Sequence, residues 1–473
     1  MLDGIKCLKL ALLVVLAAAT PAIALQQKSA SLVIRNATVF DSVRGIMTPD
    51  QTIVVSDGRI QTVAPSRQHI KVPAGAQIIK AQGKFVIPGL IDSHAHLVFV
   101  YSFGHTTSYD TLPLFLANGV TSVRDVGDDV MAEKILASYS EDHPELCPRI
   151  FLASLLIEGD PPFHKYIGWN AVITDPAKVP AFVDDMAAWG VTTLKIYAGT
   201  GRAVGLKVIE EAHRHGMTVT GHLYKYTPLE AANDGIDSIE HISAGSIYGY
   251  LASHTTPPSI DTASAITTGP ELDLNSPVVK ELIDALVKNK VMVDPTLVVF
   301  RNMLLLPDVP GVADNPENGY LPQGLRKFWP TYATSFKPET LAQRKKEFRS
   351  YQDLTGLLFR SGVTLLAGTD EPEPSIPPGF SLHEELELLV ESGLTPAAAI
   401  QTATINPARI LKQEKELGSV EAGKRADLVI LDANPLVDIK NTRKISKVVR
   451  DGVVSDPNAL LKLVRDRVDN PRP

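Results

Sequence analysis

The sequence predicts an α/β protein: a (β/α)8 TIM-like barrel with a small β-sandwich domain built from both chain ends. Three observations carry this. Between residues 86 and 369, apolar strand-like runs alternate with helix-like stretches, the pattern of a parallel α/β fold. Eight such runs fall in that interval, and no Gly-x-Gly-x-x-Gly follows the first, which favours a closed barrel over an open nucleotide-binding sheet. Short β-like segments recur before and after this middle, so the two ends are expected to form one small domain around it. Two unrelated β appendages are the alternative. The boundaries that follow are 25–84 with 412–473 for the β domain and 85–411 for the barrel.

The first 24 residues stand apart. Lys6 and Lys9 precede an apolar run over residues 10–19, and Ala22 and Ala24 supply the small-residue spacing that a signal peptidase reads. The run is too short to span a bilayer. A signal peptide cleaved after Ala24 is expected, with a secreted or periplasmic destination, and an uncleaved anchor is the alternative. Cleavage removes Cys7 and leaves Cys147 alone, so an oxidising compartment offers no intrachain disulfide. The 473 residues are 44% hydrophobic and 21% charged, ample for a large core. A formal charge of -7 without a long basic run argues against a nucleic-acid partner and leaves a small molecule as the default.

In chain order, β-like runs cover 31–40, 52–55 and 59–63, the last two joined by Ser56-Asp57-Gly58, a hairpin turn. They return at 426–431 and 445–450, the latter running into Asp451-Gly452. The barrel strands are expected at 86–94, 120–126, 149–155, 192–197, 217–222, 238–241, 291–298 and 363–369. Helices are expected at 179–189, 206–215, 228–234, 276–289 and 382–392, and Gly190, Gly216 and Gly393 suit three of their C-termini. The stretches 248–275 and 304–337 read as surface loops over the active face, and 456–473 as a charged, helix-compatible tail.

Function centres on the end of the first barrel strand, where His94 and His96 lie two residues apart. Two residues is the strand repeat, so both imidazoles leave one face. Taken alone, the pair reads as well as two polar residues on a solvated loop. In a barrel the functional groups sit at strand carboxyl ends, and there the chain continues with Lys195 on the fourth strand, His222 on the fifth, His241 on the sixth and Asp370 after the eighth. Such a set points to a metal site, and an imidazole-rich, thiolate-free one suits zinc, although manganese, iron or cobalt also fit. Lys195 is costly to desolvate as an ammonium in an apolar strand, so it is expected to be paired or to have a depressed pKa.

Several phrases resemble the metal-dependent amidohydrolase superfamily, and the likeness spans nearly the whole mature chain. They are Pro88-Gly89-Leu90-Ile91-Asp92-Ser93-His94-Ala95-His96, Gly119-Val120-Thr121-Ser122-Val123-Arg124-Asp125-Val126-Gly127, Ser238-Ile239-Glu240-His241, Ala367-Gly368-Thr369-Asp370 and, in the tail, Asn406-Pro407-Ala408. His222-Leu223-Tyr224 and Thr227-Pro228 are similar to the imidazolonepropionase and Xaa-Pro dipeptidase-like clade, with its binuclear metal site. The resemblance implies two divalent metal ions, zinc first among the candidates. His94, His96 and Asp370 would hold one, His222 and His241 the other, and a carboxylated Lys195 would bridge them. Left unmodified, Lys195 would be a substrate cation or an ion-pair partner. The resemblance also implies a metal-bridging hydroxide as nucleophile, Asp370 as proton shuttle to the departing amine, and Tyr224 near the scissile carbonyl unless it serves loop packing.

Substrate is less legible. Dipeptidase relatives carry a Gly-His-Gly-like segment for a substrate carboxylate after strand three, where this chain reads Glu158-Gly159-Asp160-Pro161-Pro162-Phe163-His164-Lys165. His164, Lys165, Arg202 and Lys225 are the candidates to bind a carboxylate, each otherwise a solvated loop residue. Arg124 is expected to pair structurally, with Asp125 or another rim acid. The expected reaction is hydrolysis of a C–N amide bond in a small-molecule amide or peptide, a dipeptide or an N-acyl amino acid. Competing readings are a mononuclear deaminase or imidazolonepropionase-like cyclic amidohydrolase, a lactonase, and a non-catalytic binding protein. Against a deaminase, Glu230 lies eight residues beyond His222, farther than deaminase relatives place their glutamate. No nucleic-acid partner and no stable membrane insertion after signal cleavage are expected, and a homo-oligomer is compatible with the sequence.

Overall fold

The structure, a computed structural model, describes residues 31–100, 107–163, 165, 168–243, 245–253, 272–305, 315–333 and 340–469. The expected signal peptide lies outside the described residues. Both chain ends enter one eight-stranded sheet: Leu32–Asp41, Ile46–Ser56, Arg59–Pro65, Gln77–Lys80 and Phe85–Pro88 meet Leu428–Leu431, Ile445–Arg450 and Val453–Ser455. The seam is antiparallel, with Phe85 opposite Leu431 and Pro88 opposite Leu428. Ser56 faces Arg59 across the expected hairpin, whose Asp57 and Gly58 take φ of 52° and 72°. Both are left-handed, as a two-residue turn on twisted strands requires. Leu32, Ile34, Ile53, Val55, Leu428 and Ile430 form the core of this sheet, each fully buried side chain contributing about 1.5–3 kcal/mol.

The middle is a mixed α/β fold with parallel sheets. Leu90–Ala95, Val120–Asp125 and Arg149–Phe151 form one. Asn170–Val172, Ala153–Glu158, Thr193–Ile196, Thr218–Gly221, Ser238–Glu240 and Met292–Asp294 form the other, in that order and all parallel. Helices Val179–Trp189, Arg202–Arg214, Pro228–Asp234 and Pro277–Asn289 fall between successive strands of the second sheet. Their apolar stripes, such as Val179, Val183 and Met186, are buried. Pro228–Asp234 begins in a capping box between Thr227 and Glu230. Gly190 caps Val179–Trp189 at φ 88°, as expected.

Several expectations change. The run 149–155 divides at Leu152 between the two parallel sheets, and the expected loop 248–275 begins in helix Ile247–Ser253, where Tyr248 and Leu251 are buried, while its residues 254–271 lie outside the described residues. The strand expected over 86–94 divides at Gly89: Phe85–Pro88 joins the terminal sheet and Leu90–Ala95 the parallel one. A Cβ at Gly89 would lie 2.0 Å from Thr121 Oγ1, so glycine lets the chain cross against its neighbour. The run 291–298 is strand only over Met292–Asp294, because Pro295 and a left-handed Thr296 turn it into helix Leu297–Leu305. Short apolar runs do not separate strand from helix by period. Over 363–369 there is no ladder, only a parallel bridge from Leu365 to Val293, with another from Glu371 to Ala95 beyond it. The stretch 304–337 contains helix Gln323–Ala333, and Leu321, Leu325 and Trp329 are buried with Val464 of the tail helix Pro457–Asp469, so this is core and not a solvent loop.

Arg149 ties the two bodies of sheet together. Its Nη1 and Nη2 donate to Asp427 Oδ2 and Asp451 Oδ2, both at 2.5 Å, and Arg425 donates to Asp451 Oδ1 at 2.9 Å. Burial raises the Asp451 pKa, but Arg149, Arg425 and Arg450 outweigh it and hold the carboxyl below its ordinary value. Such a group stabilises the fold above its unfolded pKa of about 4, and the contribution fades as pH falls through the depressed value. Asp451→Asn is expected to lower stability by about 2 kcal/mol at pH 7. The gap between variant and wild-type urea midpoints should narrow below about pH 4; a gap unchanged at pH 3 would count against this account.

Candidate functional site

His94 is the last-but-one residue of strand Leu90–Ala95 and is fully buried, and its ring centroid lies 5.3 Å from that of His96. The loop carrying Asp370 returns over this strand end, with Asp370 N–H donating to His94 O at 2.8 Å. Asp370 Oδ1 then stands 3.2 Å from His94 Nε2 and 3.4 Å from His96 Nε2. One donor atom from each of the three lies within 4.8 Å of the others. His94 Nε2 makes no other hydrogen bond among the described residues. His241 follows strand Ser238–Glu240, its ring 4.6 Å from His94 and its Nδ1 3.9 Å from Asp370 Oδ2. His222 follows Thr218–Gly221, its ring 4.5 Å from His241. Lys195, on Thr193–Ile196, is fully buried, and its Nζ has no hydrogen-bond partner among the described residues. The six candidate residues therefore gather from four strand ends, the first supplying both His94 and His96, and from the loop that carries Asp370.

Neighbouring groups set which nitrogen each imidazole offers. His94 Nδ1 lies 2.8 Å from Glu240 Oε2, and the other oxygen of Glu240 accepts from Arg124 Nη2 at 2.8 Å, from Ser238 Oγ at 3.2 Å and from Thr220. Arg124 also donates from Nε to Ser93 O at 2.6 Å, so its acid is Glu240, on another sheet, and not its neighbour Asp125. His96 Nδ1 lies 3.1 Å from Gly127 O. A carboxylate and a carbonyl accept only, so both Nδ1 atoms carry the hydrogen and both Nε2 lone pairs point at the Asp370 side. His241 Nδ1 is held by Thr296 Oγ1 at 2.8 Å. His241 and Asp370 take φ of 71° and 63°, a strained left-handed conformation for non-glycine residues. Gly368 permits the approach: a Cβ there would lie 2.4 Å from His94 Cβ.

Burial pushes the Lys195 amine down to about 8, against the pull of Glu240 and Asp370. Burial opposes the charge on Asp370 too, yet the His94 and His241 rings hold it well below the usual carboxylate range. Burial and the neighbouring His222 push His241 well down, so its imidazole is neutral. Burial raises Asp92 and Asp294 to about 7 each. The neutral His241 imidazole, the ionised Asp370 carboxylate and the buried Lys195 amine, which has no hydrogen-bond partner among the described residues, have unused donor capacity. That composition fits a divalent cation of the zinc type.

The remaining candidates fall elsewhere or at the margin. Tyr224 is half-buried in the bend two residues beyond His222. Arg202, at the start of helix Arg202–Arg214, donates to both oxygens of Asp234 at 2.8 and 2.9 Å and is engaged there. Lys165 and Lys225 are exposed, and His164 lies outside the described residues. Sequence reasoning missed as supports Glu240, Thr296, Asp92, which accepts from Thr369 N at 3.1 Å and Oγ1 at 2.8 Å, and Asp294, which accepts from Gly368 N at 3.0 Å. A charge inside a short apolar strand must be paired, and that signal marks Glu240.

The model of the Amidohydrolase family matches residues 85–454, most of the chain. The chain belongs to the amidohydrolase family. This amidohydrolase-family chain is 22% identical to adenine deaminase from Clostridium botulinum (strain Loch Maree / Type A3) over 464 residues, covering 93% of this chain but 60% of that protein. It thus spans about 60% of that relative's length. A shorter match, 44% identical over 69 residues, covers 14% of the chain and 16% of imidazolonepropionase from Vibrio cholerae. Among solved structures it resembles a candidate prolidase from Bifidobacterium longum, with TM-score 0.68 and 26% identity over 92% of this chain and 99% of that one. A Xaa-Pro dipeptidase with methionine bound in its active site shares the fold, with TM-score 0.65 and 21% identity over 90% and 100% of the two chains.

If Glu240 orients His94, Glu240→Gln should weaken metal retention about 10–100-fold. Metal per chain after dialysis against graded chelator measures this; retention equal to wild type would remove Glu240 from that role.

Proposed function

We propose that the chain hydrolyses a C–N amide bond, in a dipeptide or an N-acyl amino acid, at a binuclear metal site. The observation that carries this is the convergence of His94, His96 and Asp370 within 4.8 Å beside a buried Lys195 whose Nζ has no hydrogen-bond partner among the described residues. The two parallel sheets are taken as one (β/α)8 barrel, since Arg149–Phe151 runs on into Ala153–Glu158 through Leu152, while bridges at Leu365 and Glu371 span the other side. The terminal strands, Phe85–Pro88 now among them, are read as the small β-sandwich domain.

His94, His96 and Asp370 would hold one metal, His222 and His241 the second, and Lys195, carboxylated by carbon dioxide at its neutral amine, would serve both. When bound, the metals supply Lewis acidity, lowering the pKa of water and polarising a carbonyl. Asp370 Oδ2, on the His241 side, takes the proton of the attacking water and returns it to the departing nitrogen as the C–N bond breaks. One water is consumed, and an acid and an amine result. Tyr224 is assigned to hydrogen bonding at the scissile carbonyl. Against the deaminase reading, the carboxylate of Glu230 is committed to the helix cap, accepting from Thr227 N at 3.1 Å and Thr227 Oγ1 at 2.9 Å. Export through the leader ending at Ala24 belongs to the same proposal, and N-terminal sequencing of secreted or periplasmic protein tests it.

Elemental analysis is expected to find about two metals per chain, falling in Lys195→Ala, and chelation should lower the melting temperature. One metal per chain, unchanged in that variant, would instead favour a mononuclear site. Asp370→Asn should reduce kcat on a cleaved dipeptide or N-acyl amino acid about 10²–10⁴-fold, and a kcat within a few-fold of wild type would take the proton-shuttle role from it.

A further inference from the structure

The four imidazoles form an arc, His96 to His94 to His241 to His222, with ring centroids 5.3, 4.6 and 4.5 Å apart. Each end of the arc carries an aromatic pair. Phe99 lies 4.9 Å from His96, and Trp169 meets Phe99 edge-on at 4.6 Å. Tyr197 lies 4.9 Å from His222, and Phe163 is 5.9 Å from Tyr197. Trp169, Phe163 and Tyr197 are half-buried, so each is packed on one side and open on another.

Backbone contacts hold the outer members of both pairs in place. Glu158, fully buried, accepts from Phe163 N at 3.0 Å and from Gly199 N at 2.8 Å, and Trp169 O accepts from Leu156 N at 3.0 Å. The segment that begins at Glu158 is the one in which the sequence lacks a carboxylate-binding phrase, and it contributes a ring to each end of the arc. Of the cations the sequence singles out, Arg202 is engaged by Asp234, Lys165 and Lys225 are exposed, and His164 lies outside the described residues.

We infer that the site selects an amide bearing a planar aromatic group on one side of the scissile bond, seated against the Phe99–Trp169 or the Phe163–Tyr197 pair. This rests on the amide-hydrolase reading above. Rings already fixed in place take an incoming ring edge-on or offset without having to be ordered first.

The test compares kcat/KM of the metal-loaded full chain on two matched pairs, N-acetylphenylalanine against N-acetylalanine and N-benzoylglycine against N-acetylglycine. At least one aromatic member should exceed its aliphatic partner about tenfold, with the gain mainly in KM. Trp169→Ala or Phe163→Ala should bring that ratio toward one. Equal values in both pairs, or a preference for the aliphatic members, would overturn the inference while leaving the amide reading intact. Should none of the four be cleaved, the amide reading loses its support, and calorimetric titration of the same compounds decides the inference by itself. Tighter binding of the aromatic members supports it, and equal or weaker binding overturns it.

Discussion

The interaction on which the site depends is a buried charge pair. Glu240 is withdrawn from water, a cost of several kcal/mol for a lone carboxylate. Arg124, His94, Thr220 and Ser238 offset that cost together, and with Glu240's own strand they join strands Leu90–Ala95, Val120–Asp125, Thr218–Gly221 and Ser238–Glu240. The pair therefore does two things at once. It fixes the tautomer of His94, and it locks the relative heights of strands that are distant in sequence. A slip of one residue in any of them would strand a charge in the core and turn a ligand to the opposite face.

The six candidate ligands were legible because each is a chemically distinctive residue at the end of an apolar run. Their spacing along the chain matches strand ends, and the strands do end there, at His94, Lys195, His222 and His241. The supporting groups were harder to see. Asp294 falls in a run that reads as one strand, yet the chain reverses its conformation at Pro295 and Thr296, and hydropathy carries no trace of that change. Leu321, Leu325 and Trp329 were hidden for a different reason: their stretch is rich in turn-forming residues, and only packing against the tail helix makes it core. Arg202 was a fair candidate from its place after a strand, but Asp234, one helix further on, engages it, and a single sequence does not reveal that pairing.

Strain is concentrated where ligands must face inward. His241 and Asp370 both depart from ordinary backbone geometry, and each is pinned by its own amide, to Asp294 O and His94 O at 2.8 Å. Side chains that would otherwise leave along the strand direction are turned toward the arc of imidazoles. The hydrogen bonds of strands that lie far apart in sequence thus maintain a conformation that neither residue would choose alone.

The seam between Phe85–Pro88 and Leu428–Leu431 bears on how the chain comes into being. During synthesis the first strands of the terminal sheet emerge long before their partners exist, so the edge at Phe85–Pro88 stays open while every ligand-bearing strand is made. Closing it brings together segments separated by most of the polypeptide, the kind of long-range pairing that folds slowly and leaves a sticky edge in the meantime. A premature stop between Asp370 and Leu428 thus releases a chain with all six candidate ligands and an unfinished sheet, a substrate for chaperones and proteases before it is a protein.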